Sequence, residues 1–202
     1  MSLVETIHGG YVHSRRVRVL CEHLAEMLPR EAAVLDVGCG DGLLSRLLLD
    51  KRADLSIQGI DVLVRPGAHI PVKGFDGLHL PFADGSFDVA MFVDVLHHAE
   101  DAMGLLREAK RVARGAIVIK DHAREGLLAN ATLRFMDWVG NARHGVALRY
   151  DYWTKQKWLA AFEELELRVI EWKKDLGLYP FPASLLFGRS LHFLARVEPK
   201  AR

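Results

Sequence analysis

Hydrophobic positions along the chain fall into short runs separated by longer helical stripes, and this alternation predicts an α/β layer structure. Val34, Leu35 and Val37 form a β-branched run that stops at glycine, as a buried parallel strand does. Leu43 to Leu49 follows with straight-chain helix formers. Leu55 to Ile60 reads as a second strand and His69 to Phe75 as a third; the stretch between, Val62 to Ala68, is too short for a helix and is broken by Pro66-Gly67. Phe87 to Val93 is a continuous apolar run, which predicts a central strand, and Ala116 to Lys120 is the fifth.

The flanking stripes place the helices. Ser14 is positioned to cap a helix over Arg15–Leu28, with Val17, Leu20, Cys21, Leu24 and Leu28 on one face. Asp101–Val112 carries Met103, Leu106, Ala109 and Val112 on another face and ends at Arg114-Gly115. Thr154 caps a helix over Lys155–Leu165. Leu167–Trp172 alternates like a strand, and with Leu191–Val197 it is expected to make a long antiparallel hairpin at the sheet edge. Gly126–Trp153 stands outside this alternation: Leu127, Leu128, Leu133, Met136 and Val139 predict a helix, and Phe135, Trp138, Tyr150, Tyr152 and Trp153 make it aromatic.

The chemistry begins where the first strand ends. Gly38, Gly40 and Gly42 allow a tight turn and leave no side chain in the way of a flat ligand, and the next helix aims its N-terminus at that turn. In a dinucleotide site such a turn faces a pyrophosphate, yet here Asp36 precedes it and Asp41 lies inside it. Carboxylates repel phosphate and attract a ligand with an amine and a positive centre. A turn whose glycines serve only packing is the alternative at this point.

Asp36 followed by Gly-Cys-Gly-Asp-Gly resembles the first motif of the class I S-adenosylmethionine-dependent methyltransferases. Leu80-Pro81-Phe82, the polar turn Ala83 to Ser86, and Phe87-Asp88-Val89 make the resemblance specific to the small-molecule type. It covers roughly Ser14 to Val197. The resemblance implies a Rossmann-like, seven-stranded, mostly parallel sheet with an antiparallel C-terminal hairpin and an α-helical lid insertion, residues 126–153, after strand five of one domain spanning 1–202. It implies S-adenosylmethionine as cofactor, with Asp36, Gly38, Cys39 and Gly40 in the turn, Asp61 and Val62 at the ribose, Asp76, Gly77 and Leu78 at the adenine, and Asp94 after strand four. The lid residues Phe135, Trp138 and Tyr152, and Tyr11 in an N-terminal flap, are expected to meet the substrate.

Composition narrows the acceptor. Among 202 residues, 27 Lys plus Arg balance 26 Asp plus Glu, so no basic field marks a nucleic-acid binder. After strand four the chain reads Asp94-Val95-Leu96-His97, without the Pro-Pro-aromatic motif of base-amine methyltransferases, and the Pro-Cys pair of the C5-cytosine type is missing. A small organic acceptor follows. Arg15-Arg16-Arg18 and Arg107-Lys110-Arg111 read first as solvated helix faces. Cys21 and Cys39 alone predict a reducing compartment, and with no signal-like N-terminus or long apolar run a cytoplasmic protein is expected.

His97, His98, Asp121 and His122 fall where strand ends meet the methyl group. His97 is the leading candidate base, followed by His122, with Asp121 beside them. No metal is expected, because the paired histidines are adjacent and show no recognised ligand spacing. The rival readings are an NAD-dependent oxidoreductase, which also uses an acid at Asp61, and an S-adenosylmethionine-binding protein without transferase activity.

Overall fold

The computed structural model describes residues 13–141, 150–188 and 190–200. In chain order the elements are α1 (His13–Met27), β1 (Ala33–Val37), α2 (Leu43–Lys51), β2 (Ser56–Asp61), β3 (Val72–Gly74), β4 (Phe87–Val93), α3 (Ala102–Val112), β5 (Ala113–His122), α4 (Ala129–Asn141), α5 (Lys155–Glu164), β6 (Leu167–Lys173), α6 (Ser184–Phe187) and β7 (His192–Pro199). The strands form one seven-stranded sheet in the order β3-β2-β1-β4-β5-β7-β6. β1 to β5 run parallel, and β7 inserts antiparallel between β5 and β6. The expected fold class and C-terminal antiparallel pair are therefore present.

Alternation along the central strands divides the core into two layers. Leu35, Val37, Ala90, Phe92, Ile117 and Ile119 face Leu105, Leu106 and Val112 of α3 and Trp158 and Phe162 of α5. Val34, Val89, Met91, Ala116 and Val118 face Leu20 and Leu24 of α1 and Leu48 of α2. Covered on both sides, the central strands are apolar at most positions, which is why β4 reads as an apolar run interrupted only at Asp88.

Local chemistry moves several boundaries. β3 has three residues instead of the seven expected, because Pro71 brings no N–H to a ladder and His69 N donates to Asp41 O at 2.7 Å, tying the preceding segment to the glycine turn. No helix forms between β2 and β3, as expected. α1 begins at His13, so Ser14 lies inside the helix and is not its cap. Asp101 caps α3 by accepting from Gly104 N at 2.7 Å. Arg114-Gly115 does not form a turn after α3: Ala113 is already extended, and β5 runs on through Asp121 and His122, which sit in the strand and not beyond it. Gly115 permits this, since a Cβ there would stand 2.8 Å from Asp88 O of β4.

Arg111 is not merely solvated. Its guanidinium donates to Phe82 O at 2.8 Å and Leu80 O at 2.9 Å and pairs with Glu108, which itself accepts from Leu80 N, fastening the Leu-Pro-Phe corner to α3. Among the described residues no helix is long and apolar enough to cross a membrane.

Candidate active site

The turn after β1 uses its glycines in two ways. A Cβ on Gly38 would stand 2.6 Å from Val95 Cγ2, and one on Gly42 would stand 2.4 Å from Ile70 Cγ1, so these two glycines let neighbours pack against the backbone. Gly40, at φ +61°, would meet nothing within 4 Å. Its bare face is a cradle that a side chain would fill. Gly38 N and Cys39 N donate to Ile60 O at 2.8 and 3.1 Å, holding the turn against β2. Gly40 N donates to Asp61 Oδ2 and Leu63 N to Asp61 Oδ1, both at 2.8 Å, so Asp61 holds the turn and keeps lone pairs to offer a ligand hydroxyl.

Asp36 is buried beneath this turn and accepts from Ser45 Oγ at 2.5 Å. Burial pushes its carboxyl up to about 6 against that hydrogen bond, and the charge of Asp61 adds to the rise. Burial also raises the Cys39 thiol, with Asp36 and Asp61 adding to it. A buried acid held up in this way lacks a cation. Val62, Leu63, Val64 and Leu78 stand exposed beside the turn as an apolar shelf. Asp76 accepts from Leu78 N and His79 N and pairs with the His79 ring, which hold it near 2; its carboxylate organises the loop at Gly77, φ +82°. The cradle at Gly40, the uncompensated carboxylates and the shelf fit an adenosine with a cationic tail.

A second polar cluster occupies the C-terminal ends of β4 and β5, joined to the first by Val95, which packs on Gly38. Asp94, at φ +58°, pairs with the fully buried Lys120, with Arg16 of α1 at 3.4 Å and with His122 at 3.7 Å. Burial works to raise Asp94, but Lys120, His122 and Arg16 outweigh it and hold the carboxyl well below its usual range. Arg16 thus belongs to the site, contrary to the expectation of a solvated face. Burial lowers the Lys120 ammonium despite Asp94. His192 of β7 closes the cluster, its Nδ1 3.4 Å from Lys120 Nζ.

Asp121 is fully buried and accepts from Leu96 N at 3.0 Å, His122 N at 2.7 Å and His97 Nδ1 at 2.6 Å. Burial opposes its charge, and His97 and His122 overcome that, keeping it well below the carboxylate range. Burial would lower His97, but Asp121 outweighs it and raises the imidazole. His122 is pushed down to about 4 by burial and by Lys120. His98 is lowered by burial and by its neighbour His97, and its Nδ1 has no hydrogen-bond partner.

Helix α4 completes the cluster. α4 turns Leu133 and Asp137 inward, and Tyr152 donates its hydroxyl to Asp137 Oδ2 at 2.8 Å while its ring stacks on His97, centroids 5.4 Å apart. Phe135 and Trp138 stand on the outer face, 54% and 56% exposed, with Phe135 6.4 Å from the Phe187 ring of α6. Tyr11 lies outside the described residues. The structure thus brings Asp36, Gly38, Cys39, Gly40, Asp61 and Val62 together at one end of the cleft and Asp94, His97, Asp121, His122 and Tyr152 at the other. Reading the chain overlooked Asp137 and Lys120. The available signal was a carboxylate one turn beyond Leu133 on the core face of a helix, and a lysine inside an apolar strand.

Known proteins share its sequence pattern and its fold. The 27-O-demethylrifamycin SV methyltransferase of Amycolatopsis mediterranei is 28% identical over 131 residues, covering 54% of this chain and 48% of that protein. The chain spans about half the length, or less, of the curated relatives it matches. Among solved structures, a putative methyltransferase of Haloferax volcanii in complex with the Trm112 methyltransferase activator superposes with TM-score 0.70 at 19% identity, covering 100% of this chain and 99% of that one. The 1,6-didemethyltoxoflavin-N1-methyltransferase of Burkholderia thailandensis, with its substrate and S-adenosylhomocysteine bound, superposes with TM-score 0.64 at 17% identity, covering 92% of this chain and 79% of that one. At these identities the superpositions speak for the fold. The model of the family described as methyltransferase domain matches residues 11–171, well over half of the chain. With that match the chain belongs to the methyltransferase domain family.

Proposed function

We propose that the protein methylates a small organic acceptor bound beneath α4, at the end of the cleft opposite the glycine turn. The observation that carries this reading is the polar cluster itself: α4 delivers Asp137 against His97 and His98 directly beyond Val95, the residue that packs on the cofactor turn. S-adenosylmethionine, when bound, supplies an electrophilic methyl group whose in-line transfer leaves S-adenosylhomocysteine. The chain's part is to align the acceptor and exclude water. Gly40, Asp61 and Val62 hold the adenosine end, Asp36 supplies negative charge to the cationic end, and the Asp76–Leu78 loop closes on the adenine.

His97 meets the acceptor's polar end, and an acceptor that carries a proton on its nucleophile hands that proton to the His97 cluster. Asp121 is the positioning residue, since its hydrogen bond fixes the His97 ring. His122 packs edge-on to His97, centroids 4.6 Å apart, and Asp94 anchors Lys120 and Arg16 behind it. Of the aromatic residues expected at the substrate, Tyr152 stands beside His97 under α4, whereas Phe135 and Trp138 face outward.

Two measurements test this. Mass spectrometry of the denatured purified protein is expected to find co-purified S-adenosylhomocysteine or its parent. A homocysteine-release screen over phenols, hydroxylated polycycles and amines is then expected to show turnover that Asp121→Asn reduces by at least about tenfold, as loss of an orienting partner does. Cofactor binding with no turnover across all acceptor classes would leave a binding protein and overturn the proposal.

A further inference from the structure

The inner face of α4 brings a carboxylate against two imidazoles. Asp121 takes the Nδ1–H of His97 at 2.6 Å, which leaves His97 Nε2 toward Asp137. That Nε2 lies 4.0 Å from Asp137 Oδ1, and His98 Nε2 lies 3.4 Å from the same oxygen. The three side chains each offer a ligand atom within 4.8 Å of the others. In a tetrahedral zinc site with ligands at 2.0–2.1 Å, ligand atoms are roughly 3.4 Å apart, so the His98–Asp137 edge is already at that length, the His97–Asp137 edge is longer by roughly half an ångström, and the edge between the imidazoles closes to that length from no more than 4.8 Å.

The supporting shell is also in place. Asp121 orients His97, the carboxylate–histidine arrangement that metal sites use, and the Tyr152 hydroxyl occupies Asp137 Oδ2, leaving Oδ1 toward the histidines. The neighbouring trio His97, Asp121 and His122 is different: 2.6 Å between His97 Nδ1 and Asp121 Oδ1 is a hydrogen bond with no room for an ion. Adjacent histidines carry no recognised spacing in the sequence because the third ligand arrives from a separate helix. His98, with 14% of its side chain exposed against 3% for His97 and Asp137, gives an ion its way in.

We propose that His97 Nε2, His98 Nε2 and Asp137 Oδ1 form a three-ligand site for a divalent cation of borderline softness, Zn²⁺ foremost, with its remaining position open to water or to a heteroatom of the acceptor; with the ion bound, both His97 nitrogens are engaged and His97 serves as a ligand in place of a proton acceptor. Two imidazoles and one carboxylate suit that class better than the all-oxygen preference of Mg²⁺ or Ca²⁺. The inference stands on ligand geometry alone, and metal binding tests it whether or not an acceptor is found.

Tag-free protein stripped with chelator is titrated with Zn²⁺ against a competing dye, and with Co²⁺ by visible absorption. One equivalent should bind, with the intense visible bands of a tetrahedral cobalt site. His98→Gln and Asp137→Asn should each weaken Zn²⁺ at least tenfold, Asp121→Asn should weaken it about 10–100-fold through His97, and the exposed-histidine control His69→Gln should leave it unchanged. Calorimetry with S-adenosylhomocysteine confirms that each variant is folded and reads the cofactor site separately. Failure of the wild type to bind Zn²⁺, or binding that survives both His98→Gln and Asp137→Asn, overturns the proposal.

Discussion

Asp36→Asn should make the protein more stable and a poorer cofactor binder, and the stability gain should grow as pH rises from about 4 to about 6 and stay at its full value above that. The Asp36 carboxyl is held up to about 6, from an ordinary value of 3.8, chiefly by burial at 3% exposure. In the unfolded chain it titrates near its ordinary value. Between the two values the folded state binds the extra proton, so this group's contribution to stability falls as pH rises from about 4 to about 6 and stays low above that. At about 1.4 kcal/mol per pH unit, the difference amounts to about 3 kcal/mol. Asparagine keeps an oxygen for the Ser45 hydroxyl and never ionises. Urea denaturation should therefore find the variant equal to wild type near pH ~4 and more stable by up to about 3 kcal/mol near pH ~7.5. S-adenosylhomocysteine, which carries the same ammonium, should bind it about tenfold more weakly at the higher pH. An equal difference at both pH values, or a variant less stable at pH ~7.5, would show that Asp36 is compensated in a way the structure does not contain.

Three further outcomes follow from the same contacts. Gly40→Ala should fold with a penalty of about 1–2 kcal/mol for its positive φ yet lose most cofactor affinity by calorimetry, because its Cβ enters the cradle; Gly38→Ala should lose stability by more, since its Cβ meets Val95. Asp61→Ala should weaken cofactor binding at least about tenfold in the same assay, losing both the ribose acceptor and the anchor of Gly40 N. Asp94→Asn leaves the Lys120 ammonium buried without its carboxylate and should cost about 3–5 kcal/mol in urea denaturation, whereas adding Lys120→Met to it should recover part of that loss.

What the chain revealed in advance followed from steric and burial rules that act locally. β4 came out at Phe87–Val93, as read, because a strand covered on both faces is apolar at most of its positions. The three glycines were legible for the same reason, since a turn with positive φ at Gly38, Gly40 and Gly42 admits little else. The misread boundaries depended on partners distant in sequence: Asp41 holding His69 so that β3 starts only at Val72, and Asp88 packing on Gly115 where β5 begins early at Ala113. The acceptor end was the least legible. Lys120, Asp94 and Arg16 come from three elements, and each alone looks like a strand end or a solvated face.

The two ends of the cleft differ in how their charge is answered, and that difference gives the cleft a direction. At the turn, Asp36, Asp41 and Asp61 are met by a hydroxyl and backbone amides, so among the described residues their negative charge stays uncompensated. Across Val95, Asp94 and Asp121 are met by Lys120, Arg16, His97 and His122, and the sum is close to neutral. The crevice lies where β2 and β4 leave β1 on opposite sides, the switch point at which open parallel sheets take ligands. A cationic nucleotide entering it is drawn to the turn and gains little at the other end. The same field disfavours a diphosphate at the turn, so the electrostatics that admit the methyl donor also exclude the nicotinamide cofactors that share this topology.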